Sequence, residues 1–321
     1  MTGIGLIVCG SFAAAAAGQV AAERPASPES RAVAYLAREV PRWSARNHCY
    51  SCHNNGDAAR ALYAARRLSY PLPPEAWADT THWLSTPSAW DENKGPPGST
   101  DKGLARIQFA TALADAIEAG AVKDRRALVH AAALVAKDQH TDGSWSVDAP
   151  GTIGSPVTYG ACLATCQAQR TLKSADPGRY KAALSRADQW LQKVTVETVL
   201  NAAAVLLGLD GNTSPRAASQ RANCLAIIRK AQSADGGWGP YIHSRAEPFD
   251  TAIVVLSLSR RHGKLDELML QRGRAFLIKT QQPDGSWVET TRPPGSESYA
   301  QRLSTSAWAT LALLATAPKP R

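Results

Sequence analysis

The chain is short of the residues that favour strands. Among its 321 residues there are 4 Phe and 8 Tyr, Ile is sparse and Ala abundant, a mix that favours helices. After the N-terminal segment no apolar run is long enough to cross a bilayer. No basic arm or nucleic-acid motif is present. The densest basic groups are pairs such as Arg66-Arg67, Arg125-Arg126 and Arg260-Arg261, so the formal charge of +9 reads as a solvated surface and not as a nucleic-acid interface. With 44% hydrophobic and 20% charged residues, the composition excludes disorder and a collagen-like fibre.

Charge is also missing from residues 1–22, where the apolar stretch Ile4 to Ala17 runs into the small residues Val20-Ala21-Ala22. This has the form of a signal peptide without the usual basic start. The expectation is a periplasmic or otherwise exported protein with no integral membrane segment once the signal is removed.

What is abundant is repetition. Gln139-His140-Thr141-Asp142-Gly143-Ser144-Trp145, Gln232-Ser233-Ala234-Asp235-Gly236-Gly237-Trp238 and Gln281-Gln282-Pro283-Asp284-Gly285-Ser286-Trp287 share one pattern, each between two Ala/Leu-rich helical stretches. Gly after Asp supplies the positive φ that ends a helix, and Trp can pack over the turn. A degenerate unit around Trp190 fills the longer gap. Working backwards gives about six helical hairpins, near 31–70, 75–120, 125–172, 179–209, 217–262 and 266–317. One hairpin cannot bury its apolar face alone, so the units must stack. Six close a ring: an all-α chain, an α/α toroid. The organisation reads as a signal peptide over 1–22, a first hairpin over 23–74 and toroid repeats over 75–317.

The Gln-x-x-Asp-Gly-x-Trp turns resemble those of the squalene/hopene cyclase and protein prenyltransferase superfamily over roughly residues 75–317. That resemblance implies inner helices around an apolar cavity, with catalytic groups at inner-helix N-termini. Polysaccharide lyases built as α/α toroids can show similar turns, so the motif marks architecture and not chemistry. The Asp-x-Asp-Asp-Thr-Ala motif of alkene-protonating cyclases has its nearest match in Glu247-Pro248-Phe249-Asp250-Thr251-Ala252. Phe249 stands where the acid would be, and a phenyl ring donates no such proton. The zinc site implied by the prenyltransferases lacks its thiolate, because Ala252 follows Asp250 at that spacing. Asp250 and Glu197 read as helix N-caps.

Cys49-Tyr50-Ser51-Cys52-His53 has the form of covalent haem c attachment. Two thiols three residues apart reach the vinyl groups, and His53 lies under the iron as an axial ligand. His82 is favoured as the second iron ligand over His140, His243 and Met269. Arg66 and Arg67 face either haem propionates or solvent. A Cys49–Cys52 disulfide is the alternative, while Cys162, Cys166 and Cys224 read as small core residues.

The function expected from these residues is an exported haem c protein on a toroid, serving electron transfer or haem-based redox chemistry with a redox partner protein or a small hydrophobic ligand in the cavity. The other readings are a non-catalytic binding toroid with a structural disulfide, and a divergent terpene cyclase or polysaccharide lyase.

Overall fold

The computed structural model describes residues 1, 26–93, 101–146, 152–261, 263–292, 295 and 297–318. Apart from Met1, the expected signal peptide over 1–22 lies outside the described residues. The outer layer holds α1 (Pro28–Asn47), α3 (Ala78–Leu84), α5 (Arg126–Lys137), α7 (Lys181–Leu191), α9 (Pro215–Ala231) and α11 (Lys264–Thr280). The inner layer holds α2 (Ala59–Arg67), α4 (Lys102–Glu118), α6 (Gly160–Ala175), α8 (Val199–Gly208), α10 (Pro248–Leu258) and α12 (Tyr299–Ala315). Each inner helix packs on the next from α2 round to α12, and α12 returns to α2. The ring of six hairpins expected from the repeats is the observed architecture.

Sequence decides which helix goes where. In α8, Val199, Leu200, Ala202, Ala203, Ala204, Val205 and Leu206 are all buried, and a helix apolar on every side belongs in the interior. On α5 the buried residues Leu128, Ala131, Ala132 and Val135 form one stripe at helical spacing, so that helix lies outside with its polar face in water. No helix among the described residues is long and apolar enough to cross a membrane.

Three joints repeat the same bonds. Gln139 Nε2 donates to Gly143 O of its own turn at 3.0 Å and to Ala183 O of the next outer helix at 2.9 Å. Gln232 does the same with Gly236 O and Met269 O, and Gln281 with Gly285 O and Pro28 O. Each Trp indole donates to a carbonyl ten residues back: Trp145 to Val135, Trp238 to Ile228, Trp287 to Leu277. Each Trp backbone N–H donates to a hydroxyl of the following inner helix, from Thr165, Thr251 or Ser306. The turn thus ties three helices together, and the buried indole leaves no donor unpaired.

Helix starts differ from expectation in detail. Glu247 is the N-cap of α10 without a side-chain cap bond. Asp250 is instead fully buried and paired with the Arg292 guanidinium, which also binds Glu247 at 3.1 Å and Gly154 O. Thr198, next to Glu197, caps α8. Ser214 caps α9 by accepting from Ala217 N at 3.3 Å; Ser214→Ala is expected to cost about 1 kcal/mol in urea unfolding.

Candidate functional site

The loop after α1 enters the ring through a π-helical turn, Cys52–Ala58, that runs directly into α2. Such turns are rare and concentrate at functional sites. Its geometry is pinned on every side. Ser51 Oγ accepts from His53 N at 3.2 Å. Asn54 Nδ2 donates to Glu39 O and to Tyr299 Oη, both at 2.8 Å. Asn55 donates to Thr80 Oγ1 at 2.8 Å and accepts from Ser51 N at 2.9 Å. A Cβ on Gly56 would lie 3.0 Å from Gln108 Cβ, so Gly there lets the turn close on α4.

This turn carries Asp57 into the interior at the head of α2, fully buried. Its Oδ2 accepts from Ser304 Oγ at 2.8 Å and from Gln108 Nε2 at 2.9 Å, and its Oδ1 accepts from Tyr159 Oη. The nearest cation is Arg60, whose NH1 is 4.0 Å away while its Nε is bonded to Asp115 at 3.0 Å. Burial outweighs Arg60 and these hydrogen bonds and pushes the Asp57 carboxyl up to about 6, favouring the protonated acid. Tyr159 reaches it from the N-cap of α6 with φ +68, a conformation costly for a bulky residue and found mainly at functional sites.

Beside the acid lies His53. Its Nδ1 is 3.0 Å from Ser304 Oγ, so a continuous path runs from His53 through Ser304 to Asp57. His53 is only partly buried, and desolvation lowers it to about 4, which keeps the imidazole neutral near pH 7. The two groups act oppositely on stability. The Asp57 contribution is fully present below its ordinary value of 3.8 and is lost as pH rises through about 6. That of His53 is fully present above 6.5 and is lost as pH falls through about 4.

A cavity of about 670 Å³ opens within the ring towards the C-terminal ends of the inner helices. That size suits a small-molecule ligand. Ala64, Leu207, Leu256 and Leu311 form apolar wall, and Trp308 lies deeper. Arg60 also lines the cavity, one turn on from Asp57, with its guanidinium 4.6 Å from the Trp308 ring centre. It stands between the acid and the cavity. Asp115 holds Arg60 on one side and Arg170 on the other.

The chain has counterparts among known proteins. No protein-family model matches it. It is 29% identical over 178 residues to a drimenyl diphosphate synthase of Streptomyces showdoensis, covering 51% of this chain and 32% of that protein. A second drimenyl diphosphate synthase, from Streptantibioticus cattleyicolor, is 28% identical over 183 residues, covering 53% and 33%. The matches span about a third of the length of these curated relatives. Among solved structures, the type II terpene cyclase MstE from Scytonema superposes with a TM-score of 0.54 at 14% identity, covering 91% of this chain and 99% of that one. Another MstE structure holds geranylgeranyl dihydroxybenzoate as substrate. A possible GH105-family protein from Salmonella enterica gives a TM-score of 0.55 at 11% identity, with 92% and 95% covered. The fold is that of the terpene cyclase-like α/α toroids.

These findings overturn the haem reading. The relatives are terpene cyclase-like proteins, and no group of three or more His, Cys, Asp or Glu that could hold a metal exists among the described residues. The positions give the physical reason. Cys49 is buried, and burial pushes the Cys52 thiol up to about 12, away from the thiolate. His53 uses Nδ1 inward on Ser304. His82 is exposed at the end of the outer helix α3 and shares no hydrogen bond with His53 among the described residues. Covalent haem c, iron ligation by His53 and His82, electron transfer and a redox partner are therefore set aside. No local sequence pattern singles out Asp57, Gln108, Tyr159 or Ser304.

Proposed function

We propose that this toroid is an acid-initiated cyclase of an isoprenoid substrate, with Asp57 as the proton donor. The observation that carries this reading is a fully buried carboxyl at the head of an inner helix, held by three hydrogen bonds and raised to about 6 by burial. An alkene is a weak base, and a carboxylic acid protonates it only where the acid is kept neutral and dry. The likeness to drimenyl diphosphate synthases and to MstE supports the same reaction class.

The steps follow from the contacts. Arg60 turns off the Trp308 ring, opening Asp57 to the cavity and freeing an aromatic face for a cation. The Asp57 O–H proton passes to an alkene carbon, and the new carbocation closes rings by taking up the next double bond. Tyr159, Ser304 and Gln108 hold the carboxylate left behind. The final cation loses a proton to solvent, so the product is an isomer of the substrate. Asp57 regains a proton from Ser304, which takes one from His53 Nδ1 while the proton released to solvent by the final cation returns on Nε2, and exchange of the imidazole tautomer through solvent resets the relay.

The test is incubation of the full chain with farnesyl diphosphate, geranylgeranyl diphosphate and squalene, followed by mass spectrometry. The expected product has unchanged mass in water, carries at least one deuteron after reaction in D2O, and forms more slowly as pH rises through about 6. Absence of any isomer from all three substrates, or products without deuterium, would reject the cyclase.

A further inference from the structure

The cavity is charged unevenly along its length. Arg60 is buried and, like Arg170, engaged by Asp115, and Arg170 reaches outward to Glu118 as well at 3.6 Å. At the mouth, three alternate inner helices each deliver one cation to the lining: Arg67 as the last residue of α2, Lys173 in the last turn of α6, and Arg260 just past α10. Arg67 pairs with Glu118 at 2.9 Å and Arg260 with Asp210 at 3.3 Å, all four side chains being substantially exposed. Lys173 has no ion pair among the described residues. Pairs so exposed are weak and exchange partners readily.

Between the mouth and the acid lie Ala64, Leu207, Leu256 and Leu311. Arg67 follows Asp57 by ten residues, a rise of about 15 Å along the helix. A ligand that fills this space has an apolar body, with a reactive end at Asp57 and its other end among the cations about 15 Å away. The inner helices also end at this mouth, and their carbonyl termini repel anions. An excess of cations there offsets that field and focuses a negative group onto the opening.

We propose that Arg67, Lys173 and Arg260 form a head-group site selecting isoprenoid substrates that end in an anion, a phosphate or a carboxylate, over neutral polyprenes. This rests on the cyclase reading for the ligand's apolar body, but it is tested by binding alone. The experiment is calorimetric titration of the full chain with farnesyl diphosphate, farnesoate and farnesol, at low and at raised salt, on wild type and on a Lys173→Met/Arg260→Met variant. Both substituted side chains lie on the rim, and circular dichroism checks the fold.

The expected result is that at least one anion binds roughly tenfold or more tightly than the alcohol, with a margin that shrinks as salt is raised. The variant loses that margin and keeps its farnesol affinity. Preference for the diphosphate alone assigns a phosphate head group, and preference for both anions assigns any anion. Equal affinity for all three, no binding of any, or an anion preference that survives in the variant overturns the proposal. Wild-type turnover separates the two readings. Retained anion preference with no isomer formed by wild type would leave the head-group site standing and remove the cyclase.

Discussion

Asp57→Asn is expected to lower turnover by about 10³-fold, the range in which removal of a positioned proton donor falls, while the folded ring persists. The asparagine carbonyl can still accept from Ser304 and Gln108, and its amide can donate to the Tyr159 oxygen, so only the Tyr159 hydroxyl hydrogen loses its acceptor. The substitution also removes a carboxyl that burial holds near 6. Wild type loses stability as pH rises through that value, and the variant should lose less between pH 5 and 8. Product yield and urea midpoints measured together across that range check both halves. A variant that keeps a tenth or more of its activity would show that another group delivers the proton.

Gly285→Ala is expected to cost about 2–5 kcal/mol, the sum of left-handed strain and overpacking. Gly285 has φ +94, and an added Cβ would lie 2.2 Å from Arg31 O and 3.2 Å from Ala32 N of α1. The equivalent glycines meet Arg186 O at 2.5 Å and Arg272 O at 2.7 Å. Each turn thus seats its backbone on the next outer helix, and Gly285 does so where the last unit meets the first. Gly120 is the control. It has φ +68 with nothing within 4 Å of a built Cβ, so Gly120→Ala should cost only the strain, about 1–2 kcal/mol. Equal melting-point losses for the two variants would show that the contact with Arg31 does not matter.

The architecture was legible because its signals are local and repeated. In three turns Gln bonds to the Gly four residues on and Trp to the carbonyl ten residues back, and the spacing alone counts the units. The site was not legible for the opposite reason. Asp57 takes its partners Gln108, Tyr159 and Ser304 from three other hairpins, up to 247 residues away in sequence, and no window of sequence contains that cluster. A signal did exist. Asp57-Ala58-Ala59 heads an inner helix as Asp250-Thr251-Ala252 does, and inner-helix starts are where the resemblance puts catalytic groups. The spacing of Cys49, Cys52 and His53 reveals nothing of direction: His53 turns inward, to a serine 251 residues on. The place of Asp250 at a helix start suggests a cap, whereas its partner Arg292 comes from the loop before α12.

Gln281 bonds to Pro28 O as Gln139 does to Ala183 O and Gln232 to Met269 O. Arg274 meanwhile grips both Leu313 O at the end of α12 and Glu29 at the start of α1. To the ring, the gap between its last and first units is one joint among several, closed by the same bonds whether or not a peptide runs across it. The toroid should therefore tolerate circular permutation. With a short linker from the end of α12 to α1 and a new break in the loop between α8 and α9, the chain would begin at a different unit and still close the same circle.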